Sequence, residues 1–283
     1  MAFSTPRRSH SENFERSRSQ ELLALRRSIQ ASEKRTVTIE GPDVSFPFGI
    51  AEIDQVLGGG LAPAALHEIA ATNEAQIAAA TGFACALAAH RAQTKAVMWV
   101  AEDMTGLESG YPYGPGLDEI GLAPERLVVV SAMRSHNVLW AMEEALRCRA
   151  IGAVIGEIRT PNAIDGVAGR RLALACAERG GLALLLRAAP DPRPLPATTR
   201  WIVAAASSVP IRYGIGPPVL HIRLIRNRNG RVGSWLVEWN CVEQRFDLTS
   251  THPEPVAAPA CDGSALNLAP LAGRGRPRVS AVG

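Results

Sequence analysis

Short apolar runs separated by helical stretches dominate the middle of this chain. AVMWVA at Ala96–Ala101, LVVVS at Leu127–Ser131, IGAVIGEI at Ile151–Ile158 and LALLL at Leu182–Leu186 are almost free of charge. Runs of this kind fit strands covered on both faces. Helices are expected over Glu74–Arg91, His136–Arg149 and Asn162–Arg179, with a first strand at Ala65–Ala70. Strands joined through helices pair in parallel, because a parallel crossover needs a long connection. After residue 200 the pattern changes. Trp201–Ala206, Val219–Ile225 and Gly233–Trp239 follow without helices, and Asn227-Arg228-Asn229-Gly230 separates the last two. The Asn-Gly pair predicts an antiparallel hairpin. The expected fold is α/β, a mostly parallel sheet flanked by helices and finished by antiparallel strands at the C-terminal end.

Three regions follow from composition. Residues 1–45 form a basic arm, with Arg7, Arg8, Arg16, Arg18, Arg26, Arg27, Lys34 and Arg35 against Glu12, Glu15, Glu21 and Glu33. Leu22, Leu25 and Ile29 fall at helical spacing there, and Ser17 with Gln20 fits a capping box. The stripe suits docking on the core, a protein partner or nucleic acid, and self-association through it is one of the open readings. Residues 46–248 carry the alternating pattern. Residues 249–283 are rich in Pro, Ala and Gly, a composition that buries too little apolar area to offset chain entropy, so disorder is expected.

The chain has 283 residues and a net charge of +3, too small to identify a partner by itself. Lys34 and Lys95 are the only lysines among 30 basic residues, and neither lies in a glycine-rich loop. Five dispersed cysteines form no C-x-x-C pair, so neither a disulfide frame nor a metal site is expected, and free buried thiols are the default. The N-terminus lacks a signal-peptide apolar region, and the apolar stretch at 75–90 is too short to span a bilayer. These features predict a soluble, cytoplasmic protein.

GIAEIDQVLGGGLAPAALHEI at 49–69 resembles the lead-in of the RecA-like ATPases, through Gly49, Ile50, Ile53, Asp54, Leu57, Gly58-Gly59-Gly60, Leu61 and Pro63. The resemblance implies a following G-x-x-x-x-G-K-[ST] loop, whose amides and lysine hold nucleotide phosphates. Here the chain reads ATNEAQIA. Aligned on Leu66–Ile69, the loop glycines become Ala71 and Gln76, the lysine Ile77 and the Mg²⁺-binding hydroxyl residue Ala78. Glu102, after AVMWVA, stands where the resemblance places a catalytic glutamate. Glu157 stands where it places a Mg²⁺-binding acid. Without a phosphate loop the pair reads as strand-end or salt-bridged carboxylates. No cofactor, no metal and no ATP hydrolysis are expected. His67 reads as a packed strand residue, and nothing converges for nucleophilic catalysis.

Arg212, Arg223, Arg226, Arg228 and Arg231 run without an intervening acid. Arg223, Arg226, Arg228 and Arg231 on the hairpin are candidates for binding a partner or nucleic acid, with a solvated sheet edge as the alternative. The segments after IGAVIGEI and LALLLRA, where recombinases of the RecA class contact DNA, are short (Arg159-Thr160-Pro161) or proline-rich (189–194).

Over residues 46–245 the resemblance narrows to the ImuA family. It is carried by GGGL-x-P with LHEI, the lost phosphate loop, IGAVIGEI followed by Arg-Thr-Pro, and VLHIRLIRNRNGRVGSWLVEW. ImuA proteins are bacterial accessory proteins encoded with ImuB, a Y-family polymerase homologue, and an error-prone DnaE-type polymerase. The resemblance implies a non-catalytic role in damage-induced translesion synthesis and mutagenesis under SOS control. It implies contacts with the ImuB-like homologue, RecA and the DnaE-type polymerase as further candidates, and indirect or weak contact with DNA. A divergent ATPase, or a relative of the SulA-type cell-division inhibitors, are the alternatives.

Overall fold

A computed structural model of the chain describes residues 45–249, apart from Pro210, Tyr213, Ile215 and Asn229. Leu22, Leu25 and Ile29 of the expected arm, and the tail beyond Thr249, lie outside the described residues.

The lead-in motif builds helix α1 (Ala51–Leu57). The Asp54 carboxylate accepts from the Phe48 and Gly49 amides at 2.6 and 3.1 Å, which fixes the chain before the helix. Gly58 ends the helix at φ 82°, a left-handed conformation that suits glycine. Gly60 has φ 132°, and a Cβ there would sit 2.3 Å from the Phe46 carbonyl oxygen. The glycine triplet thus lets residues 46–47 cross against Leu61, with which Phe46 forms a bridge.

The strands are β1 (Leu66–Ala71), β2 (Ala96–Glu102), β3 (Leu127–Ala132), β4 (Ile151–Glu157), β5 (Leu182–Arg187), β6 (Thr199–Ala206), β7 (Val219–Asn227), β8 (Gly233–Asn240) and β9 (Arg245–Leu248). They form one nine-stranded mixed sheet in the order β3-β2-β4-β5-β1-β6-β7-β8-β9. The first six strands in that order are parallel and the last three add antiparallel. The helices α2 (Ile77–Ala92), α3 (Asp103–Ser109), α4 (Gly114–Glu119), α5 (Ser135–Leu146) and α6 (Gly166–Arg179) lie between strands.

Two cores result. On one face α2, almost entirely small and apolar, packs on β1, β4, β5 and β6. There Phe48, Phe83, Trp201 and Phe246 form an aromatic cluster with centroids 5.5–6.3 Å apart. On the other face α5 and α6 bury Val138, Met142, Leu172 and Cys176 against β2, β4 and β5.

The expected α/β layout is present, with four corrections. β3 is not buried on both faces: among the described residues it is an edge strand, and Val128 and Val129 are exposed. The third expected helix begins at Gly166 rather than Asn162. Asn162 takes φ 60°, and Asp165 caps the helix by accepting from the Val167 and Ala168 amides. Residues 74–76 form a separate 3-10 turn before α2. Finally, β9 lies outside β8, so the arginine hairpin is not the sheet edge. At four residues, β9 is too short to stand out as a pattern.

Among the described residues no helix is long and apolar enough to cross a membrane, and no group of His, Cys, Asp or Glu could hold a metal. Cys85 and Cys176 are buried, and burial pushes both thiols up to about 12. Cys148 and Cys241 are exposed, against the expectation of buried thiols.

Candidate functional site

β1 delivers Ala71 to the carboxyl end of the parallel strands, where an ATPase would place its phosphate loop. The turn from Ala71 to Ala78 takes another form. None of its residues has a positive φ, and Glu74 stands exposed on the 3-10 turn. The Gln76 side chain accepts from the Ala205 amide at 2.8 Å, and Thr72 N–H donates to the Val203 carbonyl at 3.0 Å. These bonds tie the turn to β6. Ile77 and Ala78 open instead onto a cleft of about 330 Å³, also lined by Trp99, Tyr111, Tyr113 and Arg159.

Glu102 and Glu157 meet at this cleft, because β2 and β4 are neighbours and Ala101 pairs with Glu157. Both are buried, and neither is a solvated strand end. Burial opposes the charge on Glu102. The Ser135 and Thr160 hydroxyls and the Thr160 and Arg159 amides together outweigh it, and hold its carboxyl below the usual range. Glu157 goes the other way. Burial pushes its carboxyl up, and the Arg159 guanidinium, at 2.9 Å, only partly offsets that. Arg159 also donates to the Ser109 hydroxyl at 2.7 Å. The two acids are thus held mainly by groups of this chain. The short Arg159-Thr160-Pro161 segment is their clamp, a role that spacing does not reveal for Ser135, 33 residues from Glu102.

The proline-rich segment after β5 is pinned as well. Asp191 pairs with Arg187 and Arg193, and its carboxyl is held down at about 2, chiefly by the Arg193 hydrogen bond. Arg200 pairs with buried Glu68 and donates to the Asp191 carbonyl at 2.8 Å.

The arginines of the hairpin lie elsewhere. Asn227 at the end of β7 pairs with Thr199 at the start of β6, so the hairpin tip stands at the amino end of the parallel strands, away from the carboxylates. Arg223, Arg226, Arg228 and Arg231 are all exposed. Arg226 donates to the Leu195 carbonyl at 2.9 Å, and the Arg228 amide to the Thr198 carbonyl at 2.9 Å. Arg223 faces Ser234 and Ile202 across its neighbours, on the sheet face that α5 and α6 leave uncovered beyond β6. Beside it, burial first and then the Arg223 charge hold the His221 imidazole below its usual value.

Fold and site define a class: an α/β protein with a nine-stranded mixed sheet whose turn after β1 carries no cationic side chain. No protein-family model matches the chain. Over 216 residues it is 33% identical to Protein ImuA of Caulobacter vibrioides strain NA1000 / CB15N, covering 70% of this chain and 84% of that protein. Protein ImuA of strain ATCC 19089 / CIP 103742 / CB 15 matches to the same extent. The chain belongs to the ImuA family.

Proposed function

We propose that this chain is a non-catalytic accessory protein of damage-induced translesion synthesis and mutagenesis, with a RecA-like core kept for its surfaces. It acts by binding an ImuB-type polymerase homologue, with RecA and a DnaE-type polymerase as further partners and DNA only indirectly or weakly engaged. Membership of the ImuA family supports the pathway. The turn at 71–78 supports the absence of catalysis and is the single observation that carries it. Gln76 is committed to β6, and Ile77 and Ala78 supply neither charge nor hydroxyl. Phosphate binding at a helix N-terminus needs converging amides and a neutralising cation. The clamped acids support the same reading, since Glu102 and Glu157 are engaged by Ser135, Thr160 and Arg159.

A second reading rests on the cleft. Glu102 is held below and Glu157 above the usual carboxylate range, the separation expected of a base and an acid. A divergent ATPase would use that pair. The two readings part in a turnover assay with Mg²⁺-ATP. The accessory role predicts a rate equal to background, and the same rate in Glu157→Ala. Hydrolysis above background that vanishes in Glu157→Ala or Glu102→Gln would establish the enzyme.

A further inference from the structure

Among the described residues β3 is the last strand on its side of the sheet and pairs only with β2. Its outer side therefore presents unpaired backbone N–H and C=O groups, a template for another extended strand. Nothing in LVVVSA guards that edge. It has no charge and no proline, and Val128 and Val129 are each 43% exposed. The opposite edge is built differently: β9 is four residues long, and Arg245 in it pairs with Glu243 and Asp247. Short charged edges resist strand addition, whereas longer apolar ones invite it. The apolar surface continues onto the flanking elements. Met104 and Leu107 on α3, Met133, and Trp140 on α5 are between 59 and 80% exposed, and both helices pack on β3.

The charges at the two ends of β3 select the occupant. Exposed Glu125 precedes the strand and exposed Arg134 stands at its far end, while half-buried Arg126 is turned to the Gly121 carbonyl and Asp103, on the β2 side, accepts from the Ser131 hydroxyl. Laid antiparallel against the same strand of a second copy, each end meets the opposite end. Glu125 then faces Arg134 on both sides of the twofold axis. We propose that the β3 edge is a homodimer interface, in which two copies join their sheets antiparallel through Leu127–Ala132.

Sedimentation of the full chain over a concentration series tests this. The expected result is a reversible dimer. Val129→Lys places a charge on the edge and raises its dissociation constant roughly tenfold or more. Glu125→Arg alone weakens the dimer, and adding Arg134→Glu to it restores the opposite pairing and the affinity. Unchanged circular dichroism and thermal unfolding show that each variant is folded. A monomer at every concentration overturns the proposal, as does a dimer indifferent to Val129→Lys. A monomer whose β3 amides gain exchange protection only on adding a polymerase homologue also overturns it, and gives the edge to that partner.

Discussion

His67 shows how a side chain that suggests catalysis is used for packing. It is fully buried, its Nε2 bonds the Ala62 carbonyl at 2.9 Å, and its Nδ1 meets the Thr199 hydroxyl at 2.7 Å. Trp201 Nε1 donates to that hydroxyl at 2.8 Å, leaving its proton for Nδ1. The ring is neutral, and burial, only partly offset by the Ala62 bond, lowers its pKa from 6.5 to about 4. A depressed histidine pKa means the unfolded chain takes up the proton first. The stability it contributes is complete above pH 6.5 and is lost as the pH falls toward 4, by on the order of 3 kcal/mol. Urea unfolding at pH 7 and 4.5 should show this loss, and His67→Gln should flatten it. Equal pH slopes in the two proteins would count against a buried neutral ring. Asp54 supports the chain in another way, by capping the Phe48 and Gly49 amides. Asp54→Ala is expected to lower stability by about 1–2 kcal/mol, read as a shift in urea midpoint at constant slope.

At the scale of elements, the hairpin of β7 and β8 is a candidate contact whose charges extend into solvent. Reversing Arg226, Arg228 and Arg231 to Glu should weaken binding to an ImuB-type partner while thermal unfolding stays near that of the parent. Binding driven by phosphates would fall steeply with salt, and a mainly apolar contact would not. An affinity untouched by the triple reversal would move the interface to another surface. The pattern also marks what was legible beforehand. Strands buried on both faces, such as IGAVIGEI and LALLL, declare themselves because both faces demand apolar residues. The same logic misreads LVVVSA, whose apolar side chains in part face outward. Helices α1, α3 and α4 and strand β9 escape because four to seven residues are too few for a period to emerge. The placing of Glu102 and Glu157 at adjacent strand ends is what the RecA-like resemblance implies, and β2 and β4 are neighbours. Their clamp is not implied, since Ser135 and Thr160 reach Glu102 only through the crossing of β2 with α5 and the β4 exit.

Across the whole molecule, the two candidate sites lie at opposite ends of the parallel strands, and their states of engagement differ. The carboxylate end is tied down by Gln76, Arg159 and Thr160, whereas the arginine end is largely open. A protein arranged this way should bind partners without nucleotide. The most direct measurement is a calorimetric titration of the full chain with a purified ImuB-type polymerase homologue, with and without Mg²⁺-ATP. A ligand held at about 100 times its dissociation constant and linked to binding would add roughly 2.7 kcal/mol, close to a hundredfold in affinity. The account predicts a complex of the same affinity in both conditions, unchanged by Glu102→Gln. No complex, or one that forms only with ATP and is lost in Glu102→Gln, would contradict it.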